Sequence, residues 1–163
     1  LGQFCVKQYK LNNLITVIKH IPGHGCASID SHLKIPKVKL NHKNLNEIDF
    51  FPFKSNSSKI AMTAHILYEK IDKKNVATFS KKIISEVIRK KIGFKGILIS
   101  DDISMKALKY DLLTNARKSL SAGCNIVLYC AGNYKDTYKL IKDVPFIDKF
   151  TTKKTSEIYK FLR

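Results

Sequence analysis

Ser80–Asp102, SKKIISEVIRKKIGFKGILISDD, joins two elements of different period through a pair of glycines. From Ser80, a residue suited to an N-cap, Ile83, Ile84, Val87 and Ile88 recur at helical spacing. Glu86 and Lys90 stand as an i,i+4 pair, and Gly93 supplies the stop. Gly96–Asp101 (GILISD) is then short and almost continuously apolar up to its last residues, as a strand buried on both faces would be. A helix feeding such a strand predicts βα units around a parallel sheet.

The same alternation extends in both directions. Upstream, Leu14–His20 (LITVIKH) and Lys59–His65 (KIAMTAH) are expected to be strands. Between them Pro22, Gly23 and Gly25 open a long loop to about Pro36, followed by a charged segment and the patch Phe50-Phe51-Pro52-Phe53. Downstream, Leu112, Leu113, Ala116 and Leu120 mark a helix ending at Gly123, and Asn125–Cys130 (NIVLYC) a fourth strand. Tyr134, Tyr138 and Ile141 then fall on one side of a further helix, with Lys135, Lys139 and Lys142 on a solvated one. No linker divides residues 1–163, so one α/β domain with no second domain is expected.

At 163 residues and 44% apolar content, a real core can be buried, and no apolar run approaches bilayer-spanning length. Thirty basic residues against 13 acidic ones give a net charge of +17, which raises nucleic acid or an anionic surface as a partner. The basic residues are nearly all Lys, with Arg only at 89, 117 and 163, and they are scattered; no RNA-binding aromatic signature accompanies them. The charge therefore reads as a solvated surface in a Lys-, Ile- and Asn-rich composition, and neither nucleic acid nor membrane is expected as a partner. A basic polymer-binding protein remains the rival from another class. Cys5, Cys26, Cys124 and Cys130 form no C-x-x-C pair and read as reduced thiols. Leu1 in place of Met, without a leader, suggests a piece of something longer.

Three strands end in chemistry-capable residues: Lys19-His20, His65 and Asp101-Asp102. In parallel α/β folds these ends share one rim, where active sites are built. The first loop adds His20, His24, Asp30 and His32. A metal site is one reading, but His spaced by four pair best on a helix, which Pro22, Gly23 and Gly25 forbid, so no metal is expected. A phosphate cradle matches neither established glycine pattern. Asp30-Ser31-His32 fits a proton-transfer dyad, the carboxylate orienting the imidazole; equally, Asp30 caps a turn and His32 is an ordinary loop residue. No elbow motif supports a nucleophilic Ser28, Ser31 or Ser104, and Cys26 has no assigned role.

Taken together, Lys19-His20-Ile21-Pro22-Gly23-His24-Gly25, Asp30-Ser31-His32, Met62-Thr63-Ala64-His65 and Ser100-Asp101-Asp102-Ile103-Ser104-Met105 resemble the β-N-acetylhexosaminidases of glycoside hydrolase family 3, and the likeness continues through Ala122–Leu128. The resemblance implies a (β/α)8 barrel that removes N-acetylglucosamine from cell-wall muropeptides during peptidoglycan recycling in the cytoplasm, without a cofactor. It implies Asp101 as nucleophile, His32 as acid/base assisted by Asp30, Lys19 and His20 as sugar contacts, and His65 lining the pocket. Strand alternation separates Asp101 from Asp102 without saying which faces inward, so Asp101 rests on the resemblance. Asn125 stands where relatives often have Asp, and Val76 where Pro commonly precedes Ala-Thr.

A full barrel takes about 250 residues, so this chain is expected to supply the C-terminal part, about four βα units, incomplete as a barrel. The N-terminal strands, with their acidic and Arg contacts to the sugar, lie outside it. Open edges would favour self-association or pairing with a separate N-terminal half. A catalytically dead fragment is the remaining alternative.

Overall fold

The computed structural model of the chain describes residues 1–27, 35–106 and 108–162. Strands β1 (Val17–Ile21), β3 (Ile60–Thr63), β5 (Ile97–Asp102) and β6 (Ile126–Leu128) form one parallel sheet in the order β1-β3-β5-β6. Strands β2 (Lys37–Val38) and β4 (Leu67–Tyr68) make a second, two-stranded parallel sheet. All four strands expected from the sequence are present with shifted ends: each starts one to three residues later, β1 and β5 run one residue further, and β3 and β6 stop two residues short, which leaves His65 just past β3. The architecture is part of a (β/α) barrel, with β1 and β6 each paired on one side only among the described residues.

Register separates the two faces of the main sheet. Ile18, Ala61 and Leu98 lie side by side and point toward the helices, where Ala61 and Leu98 join Ile83, Ile84, Val87 and Ile88 in the main core. Lys19, Met62, Ile99 and Ile126 form the neighbouring row on the opposite face. That face would be the interior of a closed barrel. Here it is only partly covered, with Val17 41% and Ile126 37% exposed. Gly96 lets β5 close against β3, because a Cβ there would stand 2.2 Å from the Lys59 carbonyl oxygen.

The helix after Ser80 forms, and the Ser80 hydroxyl accepts from the Ile83 N–H at 3.1 Å as an N-cap would. Its winding departs from expectation: Ile83–Lys91 is a π-helix, with Ile92 N–H donating five residues back to the Val87 carbonyl at 2.8 Å. Glu86 and Lys90 form no ion pair among the described residues. Helix α3 (Leu112–Ala122) ends at Gly123 with φ +116°, as its position predicts.

Other segments carried too little signal to be expected. Helices α1 (Gly2–Leu11), α2 (His42–Glu47) and α5 (Lys149–Phe161) bury only Val6, Leu45 and Thr151 respectively, so no apolar stripe announces them. The stripe that is visible in α4 (Tyr134–Asp143) faces solvent instead of the core: Tyr134, Tyr138 and Ile141 are exposed, and Leu140 is the buried residue. The four cysteines are free thiols. No helix among the described residues is long and apolar enough to cross a membrane.

Candidate active site

Because the main strands are parallel, their C-terminal ends place Lys19 and His20, Thr63, and Asp101 and Asp102 on one rim. A bulge in β1 helps build it. Lys19 pairs with Met62 while Ile21 pairs with Thr63, so His20 is an extra residue in the ladder and is turned toward β5. Its Nε2 lies 3.7 Å from Asp101 Oδ2. Burial lowers the His20 pKa, with Lys19 and His24 adding to the effect against the attraction of Asp101, so His20 is a neutral imidazole at pH 7. The His24 ring follows at 5.8 Å between centroids.

The two adjacent carboxylates have different surroundings. Asp101 Oδ1 accepts from the backbone N–H of Asp102 at 2.9 Å, and Oδ2 faces His20 beyond hydrogen-bond distance. Asp102, by contrast, is held on several sides. Its Oδ1 accepts from Ser104 N–H at 3.0 Å, Ser104 Oγ at 2.8 Å and Cys130 N–H at 3.1 Å. Burial alone would raise the Asp102 carboxyl, but these donors outweigh it and hold the group below the usual range. The Ser100 hydroxyl fills the gap where the β5–β6 register shifts, accepting from Leu128 N–H at 3.0 Å.

His65 sits behind this rim and is 1% exposed. Its Nε2 is 3.0 Å from the Asp102 carbonyl and its Nδ1 is 2.8 Å from Thr78 Oγ1. A carbonyl only accepts, so Nε2 carries the proton; with burial lowering the pKa, Nδ1 is unprotonated and shares the single Thr78 hydroxyl proton with the Ala64 carbonyl, 3.1 Å from Thr78 Oγ1. Thr63 Oγ1, 2.9 Å from Thr78 Oγ1, completes the chain. Both nitrogens of His65 are thus engaged inside the protein, and it presents no polar atom to the open rim. Thr63 and Thr78 were missed from sequence, since isolated threonines carry no pattern. Asp30 and His32 lie outside the described residues, and no cluster of metal-ligating side chains occurs among those that are described.

A parallel β/α sheet with a half-tethered carboxylate, a neutral histidine and a lysine on its C-terminal rim has the layout of a barrel enzyme domain. Residues 1–154 match the Glycosyl hydrolase family 3 N terminal domain, and the chain belongs to that family. A β-hexosaminidase of Nitrosomonas eutropha is 36% identical over 122 residues, which cover 72% of this chain and 35% of the relative. The solved structure of NagZ from Neisseria gonorrhoeae in complex with N-trifluoroacetyl-D-glucosamine superposes with a TM-score of 0.75 at 30% identity, over 91% of this chain and 42% of that one. The β-N-acetylglucosaminidase of Thermotoga maritima gives 0.74 at 34% identity, over 96% and 36%. The chain therefore spans about a third of the length of the curated relatives it matches.

Proposed function

We propose that this chain carries the nucleophile edge of a retaining β-N-acetylhexosaminidase acting on terminal N-acetylglucosamine. The observation that supports it best is Asp101, one carboxylate oxygen tethered and the other open toward His20, on the rim of a family 3 domain. In this reading Asp101 Oδ2 attacks the anomeric carbon and the bond to the leaving oxygen breaks. His32, oriented by Asp30, protonates that oxygen, then takes a proton from the water that releases the sugar from Asp101. Lys19 and His20 hold sugar hydroxyls, neutral His20 being able both to donate and to accept. His65 acts through the Asp102 carbonyl, bracing the end of β5. Muropeptides handled during peptidoglycan recycling in the cytoplasm are the natural substrates this reading names.

The open inner face adds a condition. With half of the rim supplied, the chain alone turns over slowly or not at all, and activity appears when the remaining strands are provided by a separate N-terminal half. The test is release of a chromophore from a chromogenic N-acetylglucosaminide by the chain alone and with the corresponding half of a relative. Activity that depends on the added half and falls about 1,000-fold or more in Asp101→Asn is the expected result. Equal turnover by wild type and Asp101→Asn sinks the assignment, and robust turnover by the chain alone sinks the condition.

A further inference from the structure

Asp49 stands outside the rim, just past helix α2, and is 3% exposed. Its Oδ1 accepts from the Cys26 N–H at 3.1 Å, while its Oδ2 is buried with no hydrogen-bond partner among the described residues. No Lys, Arg or His of those residues lies within ion-pair distance of it. A buried carboxylate without a cation is costly, and a hydrophobic residue of similar size would serve the core better. The turn leaving β1 shows what the carboxylate contributes.

Both glycines of Pro22-Gly23-His24-Gly25 lie against Asp49. A Cβ on Gly23 would stand 2.3 Å from Asp49 Cβ, and one on Gly25 would stand 3.3 Å from Asp49 Oδ1. The Tyr68 hydroxyl donates to the Gly23 carbonyl at 2.7 Å, and Ala27 N–H closes the turn on the His24 carbonyl at 3.2 Å. His24 is therefore suspended between two points that rest on Asp49. Its ring reaches back to within 5.8 Å of His20, whose Nε2 is 3.7 Å from Asp101 Oδ2.

We propose that Asp49 is a positioning residue: it fixes the turn after β1 and so sets His24 against His20 beside Asp101. Its consequence for turnover rests on the glycosidase reading of the rim, whereas its consequence for geometry does not. The Cys26 side chain offers a local reporter, because burial and the Asp49 carboxylate beside it push that thiol up to about 11.

The experiment compares Asp49→Ala, which removes the acceptor, with Asp49→Asn, which keeps an oxygen for the Cys26 N–H and loses the charge. Three readouts need no activity: ring resonances of His20 and His24 by NMR, amide exchange at Cys26, and alkylation of Cys26 at mildly alkaline pH followed by peptide mass. Asp49→Ala is expected to move both histidine signals, to speed Cys26 amide exchange about tenfold or more, and to raise its alkylation by a similar factor. Asp49→Asn is expected to raise alkylation alike while leaving the histidine signals and the amide near wild type. Histidine signals and amide exchange unchanged in a natively folded Asp49→Ala overturn the proposal. Should Asp49→Ala not fold, Gly25→Ala pushes on the same contact, and unchanged His24 signals there overturn it equally. In an assembly that cleaves the chromogenic substrate, Asp49→Ala lowers kcat/KM about tenfold or more and Asp49→Asn restores most of it. An Asp49→Ala enzyme as active as wild type removes the link to catalysis. Absence of turnover in the wild-type assembly instead counts against the glycosidase reading, leaving the NMR result to decide the role of Asp49.

Discussion

Asp101 and Asp102 are chemically identical neighbours whose surroundings separate them. Three donors converge on Asp102 Oδ1, so its substitution by Ala strands the Ser104 and Cys130 amides as well as removing the carboxylate. Among the described residues, Asp101 loses one short-range hydrogen bond when changed. Sequence alternation placed the two on opposite faces without orienting them. The orientation comes from strands far away in the chain: Ile99 lies beside Met62 and Ile126 on the open face, and Leu98 beside Ala61 toward the helices. His65 was legible as a polar strand-end residue but not as a buried brace, because its partners Thr78 and the Asp102 carbonyl are not encoded near it. It carries a pH signature. Burial keeps its folded pKa below the ordinary 6.5, so stability from the neutral ring is full above that value and falls as pH drops below it toward the folded pKa. Replacing His65 by Gln is expected to cost about 1–3 kcal/mol near neutrality and to flatten the decline in stability on acidification. Urea denaturation on either side of that pH measures both effects; an unchanged slope removes His65 as its source.

At the scale of elements, one junction of several side-chain contacts is not marked by any motif. Arg89, on the π-helix, donates to the Phe94 and Gly96 carbonyls at 3.1 and 2.7 Å and to Asn125 Oδ1 at 2.9 Å. Its guanidinium carbon lies 5.6 Å from the centroids of both the Phe94 and Phe150 rings. Asn125 Oδ1 also accepts from Leu98 N–H, and its amide donates to Thr151 Oγ1 at 2.8 Å. Four elements, the π-helix, β5, the start of β6 and α5, thus meet on one half-buried cation that no carboxylate pairs with among the described residues. Nothing in the sequence around Asn125 hints at the Arg89 fork, since 36 residues separate the two. Asn125→Asp would convert a cation–amide hydrogen bond into an ion pair, the Thr151 hydroxyl turning from acceptor to donor. Stability is expected to rise by about 1 kcal/mol, read as a higher urea midpoint with the same m-value. A lower midpoint would mean that carboxylate desolvation outweighs the new pair.

For the whole molecule, the sheet presents an apolar inner face and two edges, while the surface carries +17. Exposed Tyr134, Tyr138 and Ile141 on α4, with Phe146 and Ile147 just beyond it, add apolar surface on the helix side. Charge repulsion keeps copies apart and apolar surface draws them together, so salt decides the balance. The chain is expected to sediment as a monomer at low ionic strength and to associate as salt rises, by analytical ultracentrifugation across a concentration series. Association that weakens with added salt would place electrostatic contacts, not apolar ones, at the interface. The alternation of helix and strand around four parallel strands was readable because each of those strands is a short apolar run. What was not readable were the polar helices and the two-residue strands, which are held by contacts too sparse to leave a period.

The Tyr68 contact with the Gly23 carbonyl also has an optical consequence. The chain has seven tyrosines and no tryptophan, so its near-ultraviolet spectrum belongs mainly to phenol rings. Tyr68 is fully buried, and burial, reinforced by the Asp49 and Cys26 charges, raises its pKa well above the ordinary value, while exposed Tyr9, Tyr134, Tyr138 and Tyr159 meet solvent freely. In an alkaline spectrophotometric titration a late phenolate signal is expected from Tyr68, appearing only as the turn after β1 opens. That late step, assigned by its loss in Tyr68→Phe, would give the protein a built-in, label-free gauge of how firmly the turn beside its rim is held.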